Sequence, residues 1–217
     1  MEKISAAVAG ASGLVGGFVL RGLLEDPAVE RVIAPSRRPL PPHPKLVNPL
    51  FNGYAWPALG PVSEAYCCVG TTRAKAGSDK AFRAVDLDLV REFARAAKAA
   101  GARRFGLVSS IGADPRSRYL YLRTKGEAEA AAAGAGFENT VIARPSYLLG
   151  DRPEARPGET LGVAAFLLLA PLLRGPWRNY RAVRAPDVAA ALIGAVRGRV
   201  PGVLVLESDG FVRPDHA

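Results

Sequence analysis

The apolar positions of this chain follow two patterns, short continuous runs and helical spacing, which succeed each other along the sequence. Short apolar runs predict buried strands at residues 4–9, 29–34, 65–69, 105–108, 140–143 and 203–206. Between these runs, apolar residues recur at three- and four-residue spacing, which predicts helices after residue 13, through 85–97, over 119–133 and over 187–196, the last capped by Asp187. Strands that alternate with helices predict an α/β fold with a doubly wound, mostly parallel sheet.

A glycine-rich turn joins the first predicted strand to the first predicted helix. Residues 10–16 read G-x-x-G-x-x-G. Gly10 permits a tight turn, Gly13 lets the backbone approach a pyrophosphate, and Gly16 lets the helix pack closely on the strand. The phosphates of a dinucleotide would face the free N–H groups of the helix. A glycine-rich turn without a ligand has the same spacing, so the motif alone leaves both interpretations open.

Two arginines follow the second predicted strand. An NAD-binding protein usually carries an acidic residue near this point, where it holds the ribose hydroxyls. This chain has Arg37 and Arg38 instead, whose charge and forked geometry suit the 2′-phosphate of NADP(H). The alternative is an ordinary solvated basic turn. Residues 39–61 are rich in proline, asparagine and glycine and predict a loop with at most a short strand at Leu46–Val47.

Tyr121 and Lys125 are the candidate catalytic pair. They are four residues apart and therefore share one face of the predicted helix. Ser110 follows the strand at 105–108, at the edge where sites form in such sheets. An ammonium favours the phenolate form of a nearby tyrosine, and a serine hydroxyl can hold a carbonyl oxygen. A hydride from reduced nicotinamide would attack the carbonyl carbon while Tyr121 delivers the proton.

Two neighbours compete for these roles. Tyr119 has Arg123 at the same spacing, but a planar guanidinium is not the compact point charge of an ammonium, so we prefer Tyr121. Ser109 adjoins Ser110 and leaves the identity of the catalytic serine open.

Charge and composition narrow the classes of partner. The chain has 217 residues, 49% of them hydrophobic, which is enough for one domain with a sizeable core. Its net charge is +9, and 23 of its 29 basic residues are arginines scattered along the chain. A scattered charge favours attraction of an anionic cofactor or substrate over a nucleic-acid groove, so we expect a small-molecule substrate and no nucleic acid.

The cysteines and histidines predict a cellular location and indicate that the chain has no metal site. Cys67 and Cys68 lie in a predicted strand, where they point to opposite faces as small hydrophobes, so we expect a reducing, cytoplasmic location. His43 and His216 lack any ligand spacing, and we expect no metal site. The amino terminus does not look like a signal peptide, and the apolar run at 161–173 is shorter than the roughly 20 residues of a membrane span.

Together these motifs resemble the short-chain dehydrogenase/reductase superfamily in its extended and atypical branches, and in particular its Tat-interacting-protein oxidoreductase-like subfamily. The resemblance is carried by residues 10–16, 67–73, 109–114, 119–127 and 144–159. It implies a Rossmann-like fold that binds NADP(H), with Tyr121 as proton donor and Ser110 as the serine. Leu14 and Val15 stand where the subfamily often has polar residues, so they would contact the cofactor through their backbone only. The implied cofactor contacts are Ser12, Gly13, Leu14, Val15, Arg37, Arg38, Val69, Gly70, Tyr121, Lys125, Leu148 and Arg156.

We therefore expect one NAD(P)-binding domain over residues 1–217, whose part from about 150 onward forms the substrate side. The apolar residues of 161–169 would line a pocket, although core packing or a subunit interface fits them equally well, and a homo-oligomer is allowed. The first functional hypothesis is an NADP(H)-dependent oxidoreductase that reduces a carbonyl or similar group. The alternative is an NADP(H)-binding regulator or redox sensor with little turnover. Intact Tyr121 and Lys125 favour the enzyme, since a sensor needs neither.

Overall fold

The computed structural model describes residues 3–53, 55–149, 182–198 and 200–211. Seven strands form one sheet in the order β3-β2-β1-β4-β5-β6-β9, and every adjacent pair is parallel. These strands are β1 Ile4–Ala9, β2 Val29–Ile33, β3 Leu46–Val47, β4 Glu64–Cys67, β5 Arg104–Val108, β6 Asn139–Ala143 and β9 Gly202–Leu206. The chain proceeds outward from β1 in one direction through β2 and β3, and in the other through β4 to β9. The carboxyl ends of β1 and β4 therefore flank the crevice where ligands bind in open α/β sheets.

Helices cover both faces of the sheet, as the alternating pattern predicts. Apolar residues of α1 and α6 pack on one face and those of α4 and α5 on the other, so β1 contributes Val8 to the first core and Ala7 to the second. A π-helical turn, Ala84–Asp88, joins α3 to α4. The helices are α1 Leu14–Glu25, α2 Arg73–Ala76, α3 Asp79–Arg83, α4 Leu89–Ala99, α5 Leu120–Ala133 and α6 Ala185–Arg197, followed by a 3₁₀ turn at Ser208–Phe211.

The predicted Rossmann-like α/β fold is confirmed, with differences at element ends. The last helix begins at Ala185 with Pro186 in its first turn, so Asp187 lies inside that turn and is not the cap. Strand β4 ends at Cys67, two residues earlier than expected. A short parallel pair, β7 Leu148–Leu149 and β8 Val183–Arg184, was not predicted, because two-residue strands carry no periodicity.

Buried charges lie at the opposite, amino-terminal edge of the sheet. Glu64 begins β4 and is fully buried. Its carboxylate accepts from Arg197 Nη2 at 3.1 Å and from Arg104 Nη2 at 3.4 Å, and Arg197 also pairs with Asp26 beyond α1. We call Asp26, Glu64, Arg104 and Arg197 the amino-edge network. A hydrogen bond from the Ala28 N–H, opposed by burial and aided by Arg197, lowers the pKa of Asp26.

Residues 150–181 lie outside the described residues, so the predicted roles of Arg156 and of the apolar run at 161–169 stay predictions. Among the described residues, no helix has the length and apolar content that crossing a bilayer requires.

Candidate active site

All the predicted site segments that the structure describes come together at the carboxyl-terminal edge of the sheet. The glycine loop follows β1, the two arginines follow β2, Gly70 follows β4 and the two serines follow β5. Because the strands are parallel, these segments reach one edge although they are far apart in sequence.

The glycine loop is packed so tightly that side chains would not fit in it. Gly10 has a positive φ of 79°, and a Cβ there would lie 2.6 Å from the carbonyl oxygen of Cys68. A Cβ on Gly16 would lie 2.1 Å from the carbonyl oxygen of Gly10. Helix α1 therefore starts directly against the loop, with Gly13 as its N-cap residue.

The start of α1 is open to an anion. No side chain of the described residues caps it, and its first turn carries no acidic residue. The side chain of Val15 is buried in the core and that of Leu14 packs against it, so the backbone N–H groups are what these two residues offer to a ligand. A pyrophosphate fits such a helix start because unpaired N–H groups and the helix dipole both favour negative charge.

Arg37 and Arg38 line a cavity of about 290 Å³ together with Ser12 of the glycine loop. Neither arginine forms an ion pair with a carboxylate of the described residues, and both are exposed. Two hydrogen bonds hold the backbone of their turn. The Ser36 hydroxyl donates to the Arg38 carbonyl at 2.5 Å, and Asn48 Nδ2 donates to Ser36 Oγ at 2.8 Å. The two loops thus form one basic depression beside the start of α1.

The catalytic candidates on α5 differ sharply in burial. Tyr121 is 42% exposed at the rim, and its ring stacks on Phe82 of α3 with centroids 5.8 Å apart. Lys125 lies one turn further along and is 6% exposed. Its ammonium contacts Asp86 Oδ1 at 2.7 Å, and Asp86 Oδ2 accepts from the Thr71 N–H at 2.8 Å. Sequence reasoning missed Asp86, Thr71 and Phe82.

Charge keeps Lys125 protonated in spite of its burial. Burial alone lowers the pKa of the Lys125 ammonium, but the carboxylate of Asp86, with a smaller contribution from Tyr121, outweighs it, and the net pKa is raised. Cys67 lies in the same buried surroundings, and burial raises the pKa of its thiol to about 12. The thiol is therefore neutral at physiological pH, and the charged groups beneath Tyr121 are Lys125 and Asp86.

Gly70 connects the cofactor side of the site to the catalytic side. A Cβ at this position would lie 3.4 Å from Lys125 Nζ and 3.5 Å from Asp86 Oδ1. The turn after β4 therefore runs directly over the ion pair. Val69, the residue before it, packs with the core on the α4 and α5 face.

The two serines have different surroundings. Ser110 Oγ donates to the carbonyl of the adjacent Ile111 at 3.3 Å and is partly exposed. Ser109 is 7% exposed, and its Oγ has no hydrogen-bond partner among the described residues. The choice of Ser110 stays a prediction. Leu148, the other described residue of the implied cofactor set, is half-buried in β7.

Known proteins resemble this chain over most of its length. No family model matches it. The protein fmp52, mitochondrial, of Emericella nidulans is 35% identical over 209 residues, which cover 90% of each chain. The protein HTATIP2 of Rattus norvegicus is 37% identical over 202 residues, covering 89% of this chain and 81% of the relative. The chain belongs to the HTATIP2 and Fmp52 family. The resemblance to the Tat-interacting-protein subfamily is thereby confirmed.

Solved structures of lower sequence identity share the fold of this HTATIP2 and Fmp52 family member. MoeE5 in complex with UDP-glucose and NAD is 19% identical with a TM-score of 0.70, covering 96% of this chain and 79% of that one. Human epimerase family protein SDR39U1 with NADPH is 20% identical with a TM-score of 0.62, and the match covers 94% of this chain and 74% of that one. The chain therefore has the Rossmann-like fold of nicotinamide-dinucleotide-binding proteins.

The cytoplasmic location expected from the sequence is wrong. The Fmp52 relatives of Emericella nidulans and Aspergillus clavatus are both named mitochondrial proteins. The expectation rested on two free cysteines, and reduced thiols do not identify one compartment.

Proposed function

We propose that this protein is an NADP(H)-dependent oxidoreductase of the short-chain dehydrogenase/reductase type, which reduces a carbonyl or similarly polarised group of a small molecule. One observation carries the proposal. Tyr121 stands half-exposed at the rim, one helical turn from a buried ammonium, at the same sheet edge as the glycine loop and the basic depression. A proton donor, a charge that supports it and a dinucleotide cradle are the parts that this reaction needs.

The residues present fit the cofactor. A side chain would fill the cradle at Gly10 and Gly16, and the open start of α1 suits the pyrophosphate. Arg37, Arg38 and Ser12 would hold the 2′-phosphate, and the turn at Val69 and Gly70 would lie along the dinucleotide. Bound NADPH would supply the hydride. Leu148 and Arg156 complete the set that the family resemblance implies.

The side chains of this protein would handle the proton. The Tyr121 hydroxyl donates its proton to the carbonyl oxygen of the substrate, and the Lys125 ammonium stabilises the phenolate that is left. The Ser110 hydroxyl donates a hydrogen bond to the same oxygen and shares its developing charge. The ring contact with Phe82 holds the phenol in the crevice.

Replacing one oxygen tests the proposal. Tyr121→Phe keeps the ring and its contact with Phe82, so the fold and NADPH affinity should be nearly unchanged. Proton delivery should fail, and general acid catalysis contributes about 10²–10⁴-fold. The measurement is NADPH oxidation over a panel of aldehydes, ketones and quinones, beside calorimetric titration of NADPH. Tyr119→Phe is the matched control, because Tyr119 is 75% exposed and should lose nothing.

Equal loss in both variants, or turnover by Tyr121→Phe at the unmutated rate, would contradict the role of Tyr121. Tight NADPH binding without reduction of any substrate on the panel would instead favour the regulatory alternative.

A further inference from the structure

Asp86 is a fully buried carboxylate with two polar contacts. It lies in the π-helical turn between α3 and α4. One oxygen accepts from the Thr71 N–H and the other contacts the Lys125 ammonium. Asp88, two residues further along the same turn, has a side chain that is 51% exposed and pairs with Arg91. A fully buried aspartate is rare unless it is paired, so the partner explains its presence.

No other charged group of the described residues neutralises the ion pair of Lys125 and Asp86, so the two charges compensate each other. Tyr121 faces Lys125 from the same helix, and the neutral Cys67 thiol faces it from β4. Arg83 of α3 and Glu127 of α5 lie nearby in sequence but neutralise each other across 2.7 Å. Among the described residues, Asp86 is the one carboxylate in contact with the Lys125 ammonium.

We propose that Asp86 is a positioning residue for the reaction described above: its carboxylate holds Lys125 charged and fixed beneath Tyr121. The inference rests on the proposed function, because it assigns Asp86 a task in supporting the proton donor. A buried lysine without a counter-charge loses its proton at lower pH, since burial disfavours the ammonium. A neutral Lys125 would no longer support the phenolate. The carboxylate would thus preserve activity toward alkaline pH.

Asp86→Asn removes the charge and keeps an oxygen to accept from Thr71. Removing a negative charge next to an ammonium lowers its pKa, so we expect the Lys125 pKa to fall in this variant. The Lys125 pKa is measured by ¹³C NMR of labelled lysine side chains, with the Lys125 signal assigned by its loss in Lys125→Met. Asp88→Asn is the matched control, because it removes an exposed carboxylate from the same turn and should leave the Lys125 signal unchanged.

A second readout follows activity. In Asp86→Asn the alkaline fall of kcat/KM for NADPH oxidation should move toward acid by the same amount as the Lys125 pKa, whereas a purely structural loss would lower activity equally at all pH values. An unchanged Lys125 pKa in folded Asp86→Asn would overturn the proposal. The NMR titration needs no turnover, so failure to find any substrate would count against the proposed function and leave this test intact.

Asp86→Asn leaves an ammonium buried without a partner and is the variant most at risk of misfolding. If it does misfold, the melting temperatures of Lys125→Met and of the double variant Asp86→Asn/Lys125→Met are compared instead. If the carboxylate is present to balance Lys125, removing it from Lys125→Met should raise the melting temperature. A double variant that melts at or below Lys125→Met would overturn the proposal.

Discussion

The turn that carries the two arginines after β2 is held by polar contacts with Asn48, the residue after β3. Asn48 Nδ2 donates to the Ala34 carbonyl and to Ser36 Oγ, and its Oδ1 accepts from the Leu40 N–H. The backbone beneath Arg37 and Arg38 is therefore fixed while their guanidinium groups face solvent. Two neighbouring guanidinium groups with no carboxylate partner among the described residues are suited to a phosphate dianion.

Cofactor choice should depend on this pair. The unmutated protein should bind NADPH more tightly than NADH, because a charge-assisted contact contributes about 1.5–3 kcal/mol, roughly tenfold or more in affinity. Arg37→Ala/Arg38→Ala should remove most of the difference by weakening NADPH alone. Calorimetric titration with both cofactors measures it, and Arg116→Ala/Arg118→Ala serves as a control that removes two other exposed arginines. Equal affinity of the unmutated protein for the two cofactors would contradict the preference.

The amino-edge network connects α1, β4 and α6 by ion pairs in addition to their apolar packing. Arg197 ends α6, and it reaches both Glu64 at the start of β4 and Asp26 after α1. The network therefore fixes the ends of two helices against the sheet, at the edge away from the candidate site.

Arg197→Ala should destabilise the fold strongly. It leaves Glu64 fully buried with Arg104 as its remaining basic partner at 3.4 Å, and breaking a buried pair from one side costs about 3–5 kcal/mol of unfolding free energy. Arg95→Ala removes an exposed arginine of α4 that pairs with Glu92, and should change stability by less than about 1 kcal/mol. Denaturant melts of both variants provide the comparison. Similar midpoints would show that the network contributes little.

The sequence predicted elements where its periodicity was undisturbed. The runs that became β1, β5 and β6 were found because buried parallel strands are apolar over most of their length. The helical pattern failed at Asp86, because the π-turn adds a residue and brings both Asp86 and Leu87 into the interior. Its partner Lys125 is far away in sequence, and no local pattern connects the two. The glycine loop was recognisable because its spacing is local.

The net charge of +9 attracts every anion that approaches the protein. The basic residues are scattered along the chain, and the effect of such charge on binding depends on the ionic strength. Salt ions screen the attraction between charges, and we expect the strongest effect on a phosphate bound in the basic depression beside α1.

Salt should therefore weaken NADPH binding more than NADH binding. Between about 0.01 and 0.1 M salt the Debye length falls from roughly 30 to 10 Å. Over that range the Kd for NADPH should rise several-fold more than the Kd for NADH, because NADPH carries the additional phosphate. Titrations in KCl measure both slopes. Arg37→Ala/Arg38→Ala should show the shallow NADH slope for both cofactors, and parallel slopes in the unmutated protein would argue against a phosphate at this place.

The pairing of Glu64 with Arg197 also bears on the order in which contacts can form during synthesis. The two residues are 133 positions apart, so a ribosome adding about 5–20 residues per second makes Glu64 roughly 7 to 27 seconds before its partner. Until then, Arg104 is the basic residue of the amino-edge network that can pair with Glu64, and the second ion pair of this carboxylate is still missing. The synthesis of α6 then supplies the arginine that both Asp26 and Glu64 contact.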